Sequence, residues 1–326
     1  MFSKLIRLFS AAAVSVLSAA AFLPAANAKS ELIFAHVFPA ASLEQDAAQR
    51  FAKAVSDKTK GEVEVKIFPA SQLGGFSQIA NQQRSGAIHG TLISTTAISS
   101  YAPVASVDSW PYLFTEKSQF DRAYASAEAR AFIEAIEKAS GYRVLAPMYK
   151  GKRYVYVRKS VTSLADLKLR APGLPVVVDA FKAWGATVAP LGVAEMLPAM
   201  QQGVVDGAEI EIQTADTLGL ANLTKTVLMT GHMMPNYAWI FFGEWLDKQP
   251  ENVRTAIAAA AKETSEWFGS EMVKAEKESF EKFKKAGAQL VEVNTAELAK
   301  RANDALSQKY PELANWVKRL QAAGAN

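Results

Sequence analysis

The chain has 326 residues, contains no cysteine and carries a formal net charge of +4; half of its residues are hydrophobic and 21% are charged. This balance is typical of a globular protein and excludes collagen-like and strongly disordered chains. The absence of cysteine excludes disulfides, thiolate metal sites and cysteine nucleophiles. The length exceeds what one hydrophobic core usually holds, so two domains are expected.

Residues 1–28 have the pattern of a secretory signal peptide. Lys4 and Arg7 form a basic start, an apolar run follows, and Ala26-Asn27-Ala28 supplies the small residues of a cleavage site. The run is interrupted by serines and is short for a transmembrane anchor. Cleavage leaves a mature chain from Lys29 with a net charge of 4 − 2 = +2. That near balance argues against nucleic-acid binding, and the leader predicts export, to the periplasm in a Gram-negative source.

Strand-like and helical patterns alternate through the first half of the mature chain. Val63, Val65 and Ile67 alternate with charged residues, which is the period-two pattern of a half-buried strand. The predicted strands are at 32–35, 63–67 and 88–93, and the predicted helices at 47–55 and 77–85. This order predicts a mixed α/β sheet with helices on its faces.

A second α/β set follows from about residue 142. Its predicted strands are at 144–146, 154–157, 187–189, 208–212 and 237–242. Two such sets in one chain predict two lobes with a cleft between them, which is where small ligands usually bind.

The stretch from Glu251 to about Ala286 contains no proline and one glycine, Gly269. Apolar residues follow one helical stripe along it. A continuous helix of this length would be about 54 Å long and would cross both lobes. The alternative is two helices broken at Gly269.

The catalytic motifs that can be tested in the sequence are absent, including a phosphate loop, a dinucleotide fingerprint and a nucleophile elbow. Ser279 and Lys282 fit Ser-x-x-Lys, but they lie in a highly charged helical segment, which favours a solvated face. The three histidines have no acid at triad spacing, and His89 is predicted inside a strand and His232 in a loop. No catalytic residue and no cofactor site is therefore predicted.

An acidic group, Asp206, Glu209 and Glu211, needs a separate interpretation. In an extended strand Glu209 and Glu211 face the same way. Such a pair can bind a cation, or can equally pair with a nearby lysine or arginine. No metal site is predicted from it.

Arg153 and Arg170 are more informative, because each lies in an apolar segment beside a turn. A guanidinium group is a rigid fork of donors that matches a carboxylate. In a partly desolvated cleft it needs an anion. That anion is either a ligand or a protein carboxylate such as Asp166, Asp206 or Glu209.

Three separated motifs resemble one family, the extracytoplasmic solute-binding proteins of TRAP transporters, of the DctP type. The motifs are VKIFP followed by QLG at 65–74, LADLKLRAP at 164–172 and AMQQGVVDGAE at 199–209. The second is about three residues shorter than the family pattern. Trp245-Leu246 before the long helix is also similar. The resemblance covers nearly the whole mature chain.

The resemblance implies an α/β fold of the two-lobed periplasmic binding protein kind, type II-like, with a long helix spanning both lobes. The implied lobes are residues 29–151 with about 238–276, and residues 152–237 with about 277–326. It also implies a monomer that captures a small organic acid and delivers it to the membrane subunits of a TRAP permease.

The resemblance further implies that Arg170 binds the ligand carboxylate, that Arg153 helps to hold the acid, and that Ser94 makes a polar contact. Where relatives carry polar or aromatic residues, this chain has Val37, Val193 and Ile210. Buried apolar side chains leave sugar hydroxyls unpaired.

A ligand less polar than a sialic acid is therefore expected, such as an aromatic or branched monocarboxylate or a 2-oxo acid. Glu211 either accepts a hydrogen bond from one ligand hydroxyl or forms a structural ion pair. Two alternatives to transport stay open. An exported enzyme acting on a small acid would need a nucleophile or an acid–base pair that the sequence does not supply. A sensory binding protein for a receptor kinase would share the fold and the ligand.

Overall fold

A computed structural model describes residues 29–325, so the predicted signal peptide lies outside the described residues. The strands are β1 (Ser30–Ala35), β2 (Val63–Phe68), β3 (Gly90–Ser94), β4 (Tyr142–Tyr149), β5 (Arg153–Val157), β6 (Lys168–Ala171), β7 (Thr187–Pro190), β8 (Gly207–Glu211), β9 (Thr226–Met233), β10 (Asn236–Phe242) and β11 (Gln289–Val291). The helices are α1 (Leu43–Lys58), α2 (Phe76–Arg84), α3 (Lys117–Ala125), α4 (Ala127–Ser140), α5 (Pro175–Ala183), α6 (Val193–Gln201), α7 (Ile212–Thr217), α8 (Gly243–Asp247), α9 (Glu251–Lys285), α10 (Thr295–Lys309) and α11 (Pro311–Ala325). Short 3₁₀ segments lie at Thr95–Ile98, Pro103–Ser109 and Leu220–Asn222.

The first sheet has five strands in the order β2-β1-β3-β10-β4. β1 pairs in parallel with β2 and β3, and helices α1 and α2 form the crossovers, as the alternating pattern predicts. β10 enters from the second half of the chain and runs antiparallel to β3 and β4.

The second sheet has six strands in the order β11-β9-β5-β8-β6-β7. β6 lies parallel to β7 and β8, whereas β5 lies antiparallel to β8 and β9. β8 therefore lies between the two arginine-bearing strands, β5 and β6. The predicted α/β fold with two lobes is confirmed.

Two short segments cross between the sheets, residues 150–152 before β5 and residues 234–235 before β10. The third connection is α9, a continuous helix of 35 residues. The Trp239 indole of the first sheet donates to Ser265 of α9 at 2.9 Å, and the Tyr156 ring of the second sheet packs on Phe283 with centroids 5.2 Å apart. The predicted helix across both lobes is confirmed, and the alternative of a break at Gly269 is wrong.

Some local predictions differ from the structure. His232 lies inside β9, which pairs with β5, and not in a loop. The threonines and the glycine of β9 weaken its strand pattern, so the sequence did not indicate a strand there. His89 lies just before β3, where its Nδ1 accepts a hydrogen bond from the Ile33 amide at 2.9 Å.

The C-terminal helices contact different layers. α10 packs on α5, whereas α11 packs on α3, and the Arg122 Nε atom donates to the Gly324 carbonyl at 2.8 Å. The lobe boundaries given above stay a prediction. Within residues 29–325, no helix combines the length and the apolar character needed to cross a membrane.

Candidate ligand-binding site

A small cavity of about 30 Å³ lies between the two sheets. Its wall combines side chains from the first sheet's layer, from the second sheet's layer and from the crossing segments: Phe76, Ser94, Ala97, Ser109, Arg153, Pro172, Leu174, Val177, Met233, Pro235 and Tyr237. A wider groove of about 440 Å³ shares Phe76, Pro172 and Leu174 with it and also reaches Arg170 and Val193. The wall is mainly apolar, with a few polar groups, as is usual for a site that binds a small molecule.

Arg170 is the penultimate residue of β6, which ends at the Pro172-Gly173 turn. Because β6 lies parallel to β7 and β8, Arg170 is near the carboxyl edge of the sheet, where ligands usually bind in open α/β sheets. Its side chain is buried, with 1% of the residue exposed.

Among residues 29–325, the Arg170 guanidinium bonds only to backbone oxygens. Its Nε atom donates to the Leu191 carbonyl at 2.8 Å, and its Nη1 atom donates to the Glu209 carbonyl at 3.3 Å. Within the described part of the chain, no carboxylate oxygen lies within 4.0 Å of this group. Burial lowers the pKa of Arg170 to about 10, so it stays charged at neutral pH. The remaining N–H donors are therefore available for an anion in the groove.

Arg153, unlike Arg170, is surrounded by carboxylates. It opens β5 directly across from Glu211 on β8, and Glu209 is the diagonal neighbour. Its Nε and Nη2 atoms donate to the two Glu209 carboxylate oxygens at 2.6 Å each, and Nη1 donates to Glu211 at 3.0 Å. Burial alone would lower the pKa of Arg153, but the two carboxylates raise it above its ordinary value.

His232 completes this buried cluster. Its Nε2 atom lies 3.4 Å from Glu209 Oε2, and its Nδ1 atom lies 2.7 Å from the Thr230 hydroxyl. Burial lowers the pKa of His232, so the ring is neutral at pH 7. Burial would raise the pKa of Glu209, but Arg153 and His232 lower it to about 2. Glu209 is thus a permanent counter-ion of Arg153.

The other predicted site residues divide into two groups. Ser94 lines the cavity, and its hydroxyl accepts from the Thr96 amide at 3.3 Å. Val193 opens α6 on the groove that contains Arg170. Val37 and Ile210 are buried at 3% and 2% exposure but line neither of these two spaces. Glu211 is committed to Arg153 through one oxygen.

Of the polar residues in the cavity wall, sequence reasoning missed two, Tyr237 and Ser109. Tyr237 follows the second crossing and lies opposite Ser94 in the β3–β10 pair. Its sequence signal, an aromatic run, indicated only a strand. Ser109 ends a 3₁₀ segment, and its hydroxyl donates to Thr96 Oγ1 at 2.8 Å. A short polar loop gives no periodic signal that could have identified it.

The acidic group does not assemble into a metal site. Asp206 accepts from Lys159 Nζ and from the Lys168 amide, each at 2.9 Å, while Glu209 and Glu211 are bound to Arg153. Among residues 29–325 there is no cluster of three or more potential metal-binding His, Asp or Glu side chains.

The Ser-x-x-Lys pair is likewise engaged. The Ser279 hydroxyl and Lys282 Nζ both donate to Asp216, at 3.1 and 2.7 Å. The serine and the lysine therefore share one carboxylate oxygen of α7, and the lysine ammonium is paired with that acid.

A second buried ion pair lies behind the Tyr237 wall. Lys150 Nζ is 2.5 Å from Glu44 Oε1 and donates to the Thr214 hydroxyl at 2.7 Å. Lys150 is fully buried, and its ammonium lies 5.8 Å from the centre of the Tyr237 ring. This lysine already has its counter-ion within the protein.

Similar proteins were found by sequence and by structure. A solute-binding protein of Roseobacter denitrificans is 28% identical over 275 residues, which are 82% of this chain and 82% of that protein. A TRAP periplasmic solute-binding protein of Pseudomonas putida superposes with a TM-score of 0.84 at 23% identity, over 90% of this chain and 97% of that one. Another, from Desulfovibrio salexigens, superposes with a TM-score of 0.82 at 23% identity, over 91% and 99%.

The two structural likenesses, at under a quarter of residues identical, show the shared fold. The sequence match extends further, because a family model covers most of the chain. The model for the bacterial extracellular solute-binding proteins, family 7 (DctP), matches residues 34–315, and the chain therefore belongs to that family.

Proposed function

We propose that this protein is a periplasmic carrier that captures a small organic acid in its interlobe cleft and delivers it to a TRAP-type permease without making or breaking bonds. The Pseudomonas putida relative has bound D-glucuronate, and the Desulfovibrio salexigens relative has bound orotic acid. Both ligands carry a carboxylate. The leader-like residues 1–28 support export.

The observation that carries the proposal is the buried guanidinium of Arg170. An isolated charge away from water is costly unless it is paired, and the described protein residues supply this one with carbonyl oxygens alone. A ligand carboxylate matches the geometry of its unused donors. Arg153 is already paired with two carboxylates, so it forms part of the wall of the site and does not bind the ligand carboxylate.

Lobe closure supplies the second part of the proposed mechanism. The cavity wall draws on both sheets, so a bound acid contacts both lobes only when they lie together. A ligand that makes more contacts in this state shifts the hinge equilibrium towards it.

The first test is calorimetric binding of the acid to Arg170→Ala and Arg170→Lys. Alanine should weaken binding by about 100-fold or more, because the buried anion loses its cation. Lysine should also weaken it, since an ammonium cannot form the two-pronged contact. Unchanged affinity in Arg170→Ala would refute the assigned role.

Two further variants control for folding. Arg158→Ala removes an exposed guanidinium just after β5 and should leave affinity unchanged. Arg153→Ala should lower the unfolding temperature, because it leaves Glu209 and Glu211 buried without a cation. Arg170→Ala should lower it less, since Arg170 bonds to two carbonyl oxygens and, among the described residues, forms no ion pair with a carboxylate.

The apolar wall supports a ligand less polar than a sialic acid. A thermal-shift panel of benzoate, 4-methyl-2-oxopentanoate, orotate, D-glucuronate and N-acetylneuraminate would test this. We expect the largest rise in unfolding temperature with the less polar acids, because the wall offers few partners for sugar hydroxyls. Stabilisation by the sugar acids alone would overturn this ligand class but not the carboxylate function.

A further inference from the structure

We infer that the site accepts monocarboxylates and rejects dicarboxylates, because the buried charges of the cleft leave one guanidinium for a ligand. This inference rests on the proposed carboxylate-binding function and adds the charge of the ligand to it. The cations that line the cavity and the groove, or lie behind their walls, differ in whether the protein already neutralises them.

Arg153 and Arg170 are the cations that line these spaces in the described part of the chain. Arg153 makes four hydrogen bonds to β8, three of them to carboxylate oxygens. Its charge is already outweighed by Glu209 and Glu211 together. A ligand carboxylate at Arg153 would face two acids against one base.

Lys150 lies behind the Tyr237 side of the cavity wall, and it is also paired with a protein carboxylate. Its ammonium group contacts the Glu44 carboxylate and the Thr214 hydroxyl, and all three residues are buried. Lys150 does not line the cavity, and its ammonium lies 5.8 Å from the centre of the ring of Tyr237, which does. A second ligand carboxylate would have to break this pair and leave Glu44 buried without a cation.

Counted together, the two buried arginines and the two glutamates of β8 sum to zero charge. One ligand carboxylate on Arg170 brings the total to −1, and a second brings it to −2. Glu211 Oε2 has no hydrogen-bond partner among the described residues, so the cluster already holds a carboxylate oxygen that is poorly compensated.

The rest of the wall offers hydroxyls but no positive charge. The Ser109 hydroxyl donates its proton to Thr96, so Ser94 and Tyr237 supply the other hydroxyls of the cavity, and Ser71, Ser77 and Gln78 are the uncharged polar residues of the groove. Hydroxyl groups can satisfy a neutral oxygen. They do not offset the desolvation of a second ionised carboxylate.

The test compares acids that differ mainly in one charge. Calorimetry with the full protein would use three pairs: 4-carbamoylbenzoate against terephthalate, glutaramate against glutarate, and D-glucuronate against D-glucarate. The first two pairs are nearly isosteric, so size is matched. In each pair that binds, we expect the monoanion to bind about 100-fold more tightly.

A charge variant separates electrostatics from shape. Glu211→Gln keeps an oxygen for Arg153 but removes one negative charge, so it should raise the affinity for the dianions relative to the monoanions about tenfold or more. The unfolding temperature of the variant reports whether the cluster still folds. A preference for monoanions that does not change in Glu211→Gln would overturn the electrostatic basis.

The remaining outcomes are distinguishable. Equal binding of both members of a pair, abolished by Arg170→Ala, would overturn the monocarboxylate inference while leaving the carboxylate function intact. Rejection of the amide-bearing monoanion together with the diacid would show exclusion by size and would also overturn the inference. No binding by any of the six acids would overturn the carboxylate function and this inference with it.

Discussion

Two arginines on strands that flank β8 differ in what surrounds them. Arg153 lies opposite Glu211 and donates to both carboxylate oxygens of Glu209, so protein carboxylates neutralise its charge. Arg170, on the other flank, contacts the carbonyl oxygen of Glu209 and not its carboxylate. The same strand therefore neutralises one guanidinium and leaves the other available.

Asp108 is a second buried charge whose environment can be tested. It is 2% exposed and accepts hydrogen bonds from the Thr95 and Tyr124 hydroxyls. Burial raises the pKa of Asp108 to about 6 from a model-compound value of 3.8, although the hydroxyls act in the opposite direction. The folded state thus holds a proton that the unfolded state releases between these two pH values.

Stability from this group should therefore fall as the pH rises from about 4 to about 6, by at most about 3 kcal/mol. In Asp108→Asn this loss should be absent. Burial lowers the pKa of His36 and of His232, which adds the opposite slope, but that slope is common to both proteins. Urea unfolding at pH 4, 5, 6 and 7 would give the difference between variant and parent.

That difference should move in favour of Asp108→Asn as the pH rises and should level off above pH 6. The exposed Asp57→Asn provides the matched control and should show no such trend. A difference that is constant with pH would contradict the buried, proton-binding role of Asp108.

At the scale of the element, α9 shows how a helix tolerates glycine in its middle. Gly269 lies half-buried between the segment that packs on the first sheet and the segment that packs on the second. A Cβ atom at Gly269 would meet no heavy atom within 4 Å. The glycine is therefore not required by packing, and its flexibility only lowers the stability of the helix.

Gly269→Ala should raise the free energy of unfolding by about 1 kcal/mol, because alanine loses less backbone entropy in a helix. Chemical denaturation would measure it. Gly207→Ala is the contrasting variant, since its Cβ would collide with the Tyr156 carbonyl oxygen, and it should destabilise the protein. A destabilised Gly269→Ala protein would indicate that α9 needs to bend there.

At the scale of the whole molecule, the crossing segment 150–152 joins three layers. Gly151 has a φ of +99°, a conformation that a residue with a side chain rarely adopts. Glu276 of α9 holds both sides of this glycine, accepting from the Tyr149 hydroxyl at 2.8 Å and the Lys152 amide at 3.1 Å. The long helix is thus tied to a segment that connects the two sheets.

The Lys150 contacts extend this link across the lobes. Glu44 belongs to α1 beside the first sheet, and Thr214 belongs to α7 beside the second. A change in the angle between the lobes would separate these partners. The buried ion pair therefore favours the arrangement in which the cavity has walls on both sides.

Much of the fold could be predicted because its signals are local. The alternation at 63–67, the uninterrupted helical stretch from Glu251 and the three motifs lie within short segments, and periodicity reports local burial directly. β9 escaped prediction because Thr230, Gly231 and His232 weaken its pattern, although pairing with β5 holds it as a strand.

The residue types of the site were also visible in the chain: two arginines in apolar segments and two glutamates on one side of a strand. The sequence by itself thus determined the α/β class, the long helix and the family. Only the tertiary structure decided which arginine is neutralised. Arg153 and Glu209 are 56 residues apart, and the order β5-β8-β6 brings them together. Ion pairing depends on distance in space, which local sequence patterns do not encode.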